Sequence, residues 1–171
     1  MKSKIYKSLA THLLKGQALG IKEIDLFKNQ LSSSEDYLPQ TYPAVLIEFG
    51  QVVWKQLDEE GEQRGEMEVT LHVLQRNERS TMGEFINIQE NNFTFLDLPE
   101  KITTRMYLYK GENTEDLRRT SEGVEVYTKT LVKQAVTYKF FVVDDSVKQL
   151  KESGQIRLTG VELGVEAIVK E

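Results

Sequence analysis

Apolar residues recur along this chain with two different spacings, and the switches between them divide it into elements. Over residues 3–15, Ile5, Leu9 and Leu13 fall at i, i+4 and i+8, the stripe of an amphipathic helix. Gly16 supplies a C-terminal stop for it. Period two begins in GIKEIDLF, where Ile24 and Leu26 mark a first strand. The stretch from Asn29 to Thr41 is polar, contains Pro39 and predicts a long loop. From Pro43 onward, Val45, Ile47 and Phe49 share one face while Leu46 and Glu48 share the other. Gly50 predicts a tight turn, after which QVVWKQL forms the next strand.

In GEMEVTLHVLQ the alternation is nearly complete. Met67, Val69, Leu71 and Val73 point one way; Glu66, Glu68, Thr70 and His72 point the other. A sheet with one buried and one wet face follows, the usual antiparallel arrangement. DEEGEQRGE, residues 58–66, is then a hairpin tip far longer than a two-residue turn requires.

Helical spacing returns in LDLPEKITTRMYLYKG, with Leu98, Ile102, Met106 and Tyr109 on one face. Asp97 is placed to cap this helix, Glu100 follows three residues later, Pro99 sits in the first turn, and Gly111 ends it. A polar loop leads to two more strand patterns, GVEVYTKTL and KQAVTYKFFVVDD; in the second, Val136, Tyr138, Phe140 and Val142 alternate. DDSVKQLKESG predicts a short helix, and QIRLTGVELGVEAIVK has period-two runs on either side of Gly160. The expected architecture is one α+β domain over residues 1–171. Its mostly antiparallel sheet carries the N-terminal helix and the mid-chain helix on one face. Residues 145–171 would complete the sheet or reach a neighbouring subunit as an added strand.

Composition narrows the function classes. At 171 residues, 39% hydrophobic and 29% charged, the chain reads as one globular domain with a real core. Its longest apolar runs, AVLIEF and KFFVV, are far too short to cross a bilayer, so no membrane association is expected. The basic N-terminus has helically spaced apolar residues and no small-residue cleavage site, which argues against a signal peptide. The absence of cysteine excludes disulfides, thiolate zinc sites and a cysteine nucleophile. A net charge of −5 argues against general nucleic-acid binding. LRRT at 117–120 is the nearest basic candidate, and its plain reading is a solvated surface.

Catalytic patterns are lacking. His12 flanks the stripe of the first helix and His72 projects from the wet face of a strand. Neither has metal-ligand spacing to another histidine, and no HExxH, GxSxG or Walker pattern occurs. Asp58, Glu59, Glu60, Glu62 and Glu66 cluster in the acidic tip, but an EF-hand loop needs flanking helices and a glycine at its sixth position. Asp144 and Asp145 end a strand, where a turn or capping role is the default. Trp54, the single tryptophan, either covers a sheet face or anchors an interface. The expectation is a non-enzymatic chain with no catalytic residues, no metal ligands and no cofactor. The alternative of a different class is a small-molecule binding domain or enzyme using Glu48, His72 or Tyr138 in a pocket.

Four segments in order, YPAVLIEFG, GEMEVTLHVLQ, LDLPEKITTRMYLYKG and LRRTSEGVEVYTKTLVKQAVTYKFFVVDD, resemble the tail terminator, or tail completion, proteins of long-tailed bacteriophages and prophages. The resemblance covers residues 1 to 145 and rests on element order rather than on a signature motif. It implies a virion protein made in the bacterial host cytoplasm that closes into a ring, commonly a hexamer, on the end of the tail tube. Its partners would be further copies of itself, the tail tube protein and a head-completion or connector protein. DNA would pass through the lumen without being bound specifically. Asp58, Glu59, Glu60 and Glu62 would line that lumen, and Trp54 would stand at an interface. Another head–tail joining or tail-tube component is the nearest alternative. The tail KESGQIRLTGVELGVEAIVKE is long for such a protein.

Overall fold

The computed structural model describes residues 1–15, 19–29, 38–55, 62–76, 94–111, 114–126 and 131–153. In chain order its elements are α1 (Lys2–Leu14), β1 (Glu23–Leu26), β2 (Ala44–Trp54), β3 (Gln63–Arg76), α2 (Thr94–Tyr107), β4 (Thr114–Val126), β5 (Leu131–Asp144) and α3 (Ser146–Glu152). The five strands form one sheet in the order β1-β2-β3-β5-β4, antiparallel except where β1 runs beside β2. This is the α+β arrangement that the spacing of apolar residues predicts.

Alternation on β3 decides which face becomes the core. Met67, Val69, Leu71 and Val73 are fully buried, opposite Phe140, Tyr138, Val136 and Gln134 of β5. Val45 and Ile47 extend that face on β2. Ile5, Leu9 and Leu13 of α1 and Leu98, Ile102 and Met106 of α2 cover it. Each such aliphatic side chain contributes about 1.5–3 kcal/mol on burial. The helices are also tied to each other. His12 Nε2 donates to the Arg105 carbonyl at 2.8 Å, and Arg105 Nε donates to the His12 carbonyl at 3.2 Å. His12 is thus a helix-to-helix fastener, with Tyr109 packed edge-on against its ring.

Five local expectations change. Gly50 makes no turn: β2 runs unbroken through it, and the register jumps from Phe49↔Val69 to Val52↔Met67. One extra residue on β2 is a β-bulge, which shifts the core-facing positions from odd to even numbers. Gln63, Arg64, Gly65 and Glu66 belong to β3, so the hairpin tip is shorter than 58–66. Helix α2 starts at Thr94, which puts Asp97 in its first turn rather than at a cap. A carboxylate there still favours the helix dipole. The helix stops at Tyr107, and two tight bonds, Leu108 N to Arg105 O and Tyr109 N to Met106 O, turn Tyr109 back into the core before Gly111 is reached. Strand β4 begins at Thr114, inside the stretch that reads as polar loop. The proposed stop at Gly16, most of the loop after Asn29, and the strand patterns beyond Gly154 lie outside the described residues.

Between the core face and α2, Tyr138 is fully buried and its hydroxyl donates to Thr103 Oγ1 at 3.0 Å. Burial pushes its pKa up, as it does for Tyr6, Tyr42 and Tyr109. The native state therefore holds these protons more tightly than the unfolded chain. Their contribution is complete below about pH 10, the unfolded tyrosine value, and is lost as pH rises through the folded values. The urea midpoint is expected to fall in that alkaline window. Tyr138→Phe should flatten part of the fall while costing about 1 kcal/mol at neutral pH. An alkaline profile identical in the two proteins would contradict this role.

Candidate functional site

Among the described residues no constellation of catalytic groups is assembled, so the candidate sites taken here are surfaces: the far end of the β2–β3 hairpin, the face of the sheet away from the helices, and the sheet edges. At the hairpin end, burial fades along β2 from Ala44 to the exposed Val53 and Trp54. The strands stay paired to Trp54↔Gly65, and Lys55 N still donates to the Arg64 carbonyl at 2.9 Å. Trp54 is 36% exposed. Its ring lies over Gly65, where a Cβ would come within 2.7 Å of both the ring and Val52 Cγ1. The glycine is therefore a seat for the indole, an aromatic filling the gap that its cross-strand neighbour leaves. Trp54 covers the sheet, as its plain reading holds, while part of the ring remains available. Glu62 is half-buried just before β3 begins. Asp58, Glu59 and Glu60 lie outside the described residues.

The face away from the helices is not uniformly wet. Its lower part is a lattice of opposite charges. Glu66 lies 3.3 Å from Arg118 and 3.4 Å from Lys139, Glu68 lies 3.8 Å from Lys139, and Arg64 pairs with Glu115. Arg64 also stacks over the Phe141 ring, 4.5 Å from its centroid. Partly exposed pairs of this kind contribute little each, but they neutralise the surface. The two arginines of LRRT divide between faces: Arg118 meets Glu66, and Arg119, on the helix side, meets Glu122 at 2.9 Å. They do not form a shared cationic patch.

Higher on the same face the surface is apolar. Ala44, Leu46, Leu74 and Leu131 are buried there, with Phe27, Leu38 and Tyr42 packed against them. His72 sits among them, 7% exposed rather than projecting into water. Its Nε2 lies 2.6 Å from Glu48 Oε2, and the Phe27 ring stacks on it at 4.4 Å. The apolar cover from Phe27 accounts for the difference; it comes from the segment after β1 and is invisible to strand alternation. Glu48 and His72 are thus brought together, whereas Tyr138 lies on the opposite side of the sheet. The three do not share a pocket. A cleft of about 300 Å³ between α1 and the β5–α3 junction is lined by Met1, Lys4, Ser8, Asp145 and Gln149, among others. Asp144, beside it, accepts from Ser146 N at 3.0 Å, and hydrogen bonding to Ser146 holds its carboxyl below the usual range. Asp144 and Asp145 therefore serve the turn into α3, as their position predicts. Among the described residues no group of three or more His, Asp or Glu is placed to hold a metal ion, and no helix is long and apolar enough to cross a membrane.

No family model and no curated protein matches the chain.

The two edges of the sheet differ, which the sequence pattern does not reveal. The β1 edge is four residues long. Phe27 N donates inward to the Ile47 carbonyl, so by alternation Ile24 and Leu26 turn their backbone groups outward. Tyr6 Oη reaches the Ile24 carbonyl at 3.5 Å, and Leu26 N donates to Asp25 Oδ1 at 2.7 Å. The β4 edge is thirteen residues long, and its residues from Arg118 to Val124 are exposed. Among the described residues no strand lies beyond it.

Gly65→Ala tests the hairpin end. Forcing a methyl against Trp54 and Val52 should lower stability by about 1–3 kcal/mol, measured by urea unfolding, and should change the tryptophan emission. An unaltered midpoint and spectrum would contradict the seat assigned to the indole.

Proposed function

We propose that this chain is a non-enzymatic structural protein of a virion or prophage tail, which closes into a homo-oligomeric ring on the end of the tail tube and joins it to head-completion proteins. The observation that carries the reading is the β2–β3 hairpin. Its strands stay paired past the core, with Val53 and Trp54 exposed, toward the acidic segment DEEGE. The order of helix, long connection, hairpin, helix and closing strand pair supports it too, since the resemblance to tail terminator proteins rests on that order. The surfaces described above favour docking over catalysis: they are charge-balanced or apolar, and the Glu48–His72 pair is capped by Phe27.

In this reading Asp58, Glu59, Glu60 and Glu62 from every subunit face the hole. A like-charged wall repels phosphate and lets DNA slide. Replacing the four by lysine should leave the fold intact and make the assembled rings retain duplex DNA at low salt. Retention should weaken steeply as salt rises. Electrophoretic mobility of DNA with each protein measures this, beside negative-stain images of the same samples. Closed rings with a central hole and lysine-dependent retention are expected. Rings that treat DNA alike with either sequence would contradict the lumen assignment. A field without rings at any concentration would contradict the reading itself.

A further inference from the structure

On the sheet, cations meet carboxylates or rings. Arg64, Arg118, Arg119 and Lys139 face glutamates, while Lys55 lies over the Phe141 ring and Arg76 over the Tyr42 ring. Helix α1 differs. Residues 1–15 contain Lys2, Lys4, Lys7 and Lys15 and no carboxylate, in a chain whose net charge is −5. Two of these lysines share a cleft of about 350 Å³ with Lys110, which follows the end of α2. Thr11, His12 and Tyr109 also line it, and no Asp or Glu does. Among the described residues none of the three lysines pairs with a carboxylate.

The cleft is built by the contact between the two helices. Lys7, Thr11 and Lys15 stand at i, i+4 and i+8, one row with steps of about 6 Å. Lys15, the C-cap, keeps right-handed helical angles, so the row runs unbroken. The bond from His12 to the Arg105 carbonyl and the edge-on packing of Tyr109 against His12 hold the chain after α2 beside α1. Lysines near helix C-termini complement the dipole, but the last carbonyls here already have donors. Thr11 O accepts from Lys15 N, His12 O from Arg105, Arg105 O from His12 and Leu108 N, and Met106 O from Tyr109 N. The ammoniums are left without a structural duty. The cleft on the other flank of α1 is different in kind, since it sets Lys4 against Asp144 and Asp145.

Three positive charges around one small space select the ligand by charge density. A carboxylate brings a single negative charge. A phosphate group brings about 1.5–2 near neutral pH, with three acceptor oxygens, and a diphosphate brings more in little extra volume. Lysine meets phosphate as a point charge, on a flexible stem that can close on it from either side of Thr11. We propose that this cleft binds a phosphate chain, with Lys7, Lys15 and Lys110 balancing its charge and the Thr11 hydroxyl donating to an oxygen between them. The site lies within one chain, so this inference goes beyond the ring reading and is tested on single chains and rings alike.

Pyrophosphate is the probe, titrated at low salt into the full-length protein and followed by calorimetry and by backbone amide shifts. One saturable site per chain is expected, with shifts at Thr11, Lys15 and Lys110. Lys7→Gln with Lys15→Gln, both exposed, should weaken binding by about ten-fold or more, since one charge-assisted hydrogen bond is worth about that factor. Lys101→Gln, an exposed position of α2 that does not line the cleft, should bind as the parent does. ATP distinguishes the source of the phosphate: affinity equal to that for pyrophosphate assigns the chain alone, and tighter binding adds a nucleoside contact. Shifts that never saturate, or a site indifferent to the loss of Lys7 and Lys15, would mean an adventitious ion only and overturn the proposal. Poly-glutamate binding more tightly than pyrophosphate through the same lysines would also overturn it, and would make the cleft a dock for an acidic protein.

Discussion

Strand β3 holds this structure in place. It is paired along its length to β2 on one side and β5 on the other, from Gln63↔Asp144 to Arg76↔Leu131. One set of its side chains enters the core while the other meets charges and the His72 cluster. A slip of one residue would turn Met67, Val69, Leu71 and Val73 out and bring Glu66, Glu68 and Thr70 under the helices. No such alternative survives the cost of burying those carboxylates. With β3 fixed, the bulge in β2, the seat of Trp54 on Gly65 and the placing of Tyr138 against Thr103 follow from pairing and volume.

The same register sorts the chain's chemistry. Because alternation sends Glu48 and His72 to one side and Tyr138 to the other, groups that could act together in one pocket are separated by the sheet. The charges at 64, 66, 68, 115, 118 and 139 cancel across three strands. Among the described residues of the sheet, what remains unmatched is geometric: a hairpin carried past the core and one regular, exposed stretch of strand edge.

Much of this was legible in the sequence where a period persists long enough to be unambiguous. The stripe Ile5, Leu9, Leu13 and the alternation from Met67 to Val73 each specified a face, and the structure buries those faces. Legibility failed where a period is interrupted. At Gly50 a phase break means either a turn or a bulge, and only the partner strand decides. At Thr114–Arg119 two bulges scramble the alternation, so a strand reads as a polar loop. The cover over His72 comes from Phe27, about 45 residues away in sequence, which no local pattern encodes. Candidate sites fared likewise: Trp54 could be placed on a strand from sequence, but its glycine seat depends on cross-strand register.

The account stands on self-association into a closed ring, so the mass of the full-length protein across a wide concentration range is the most direct measurement. Light scattering should give one fixed multiple of the 19.7 kDa chain over a plateau of concentration, as ring closure requires. A mass of one chain at every concentration would contradict self-association, and a mass that climbs without limit would contradict closure.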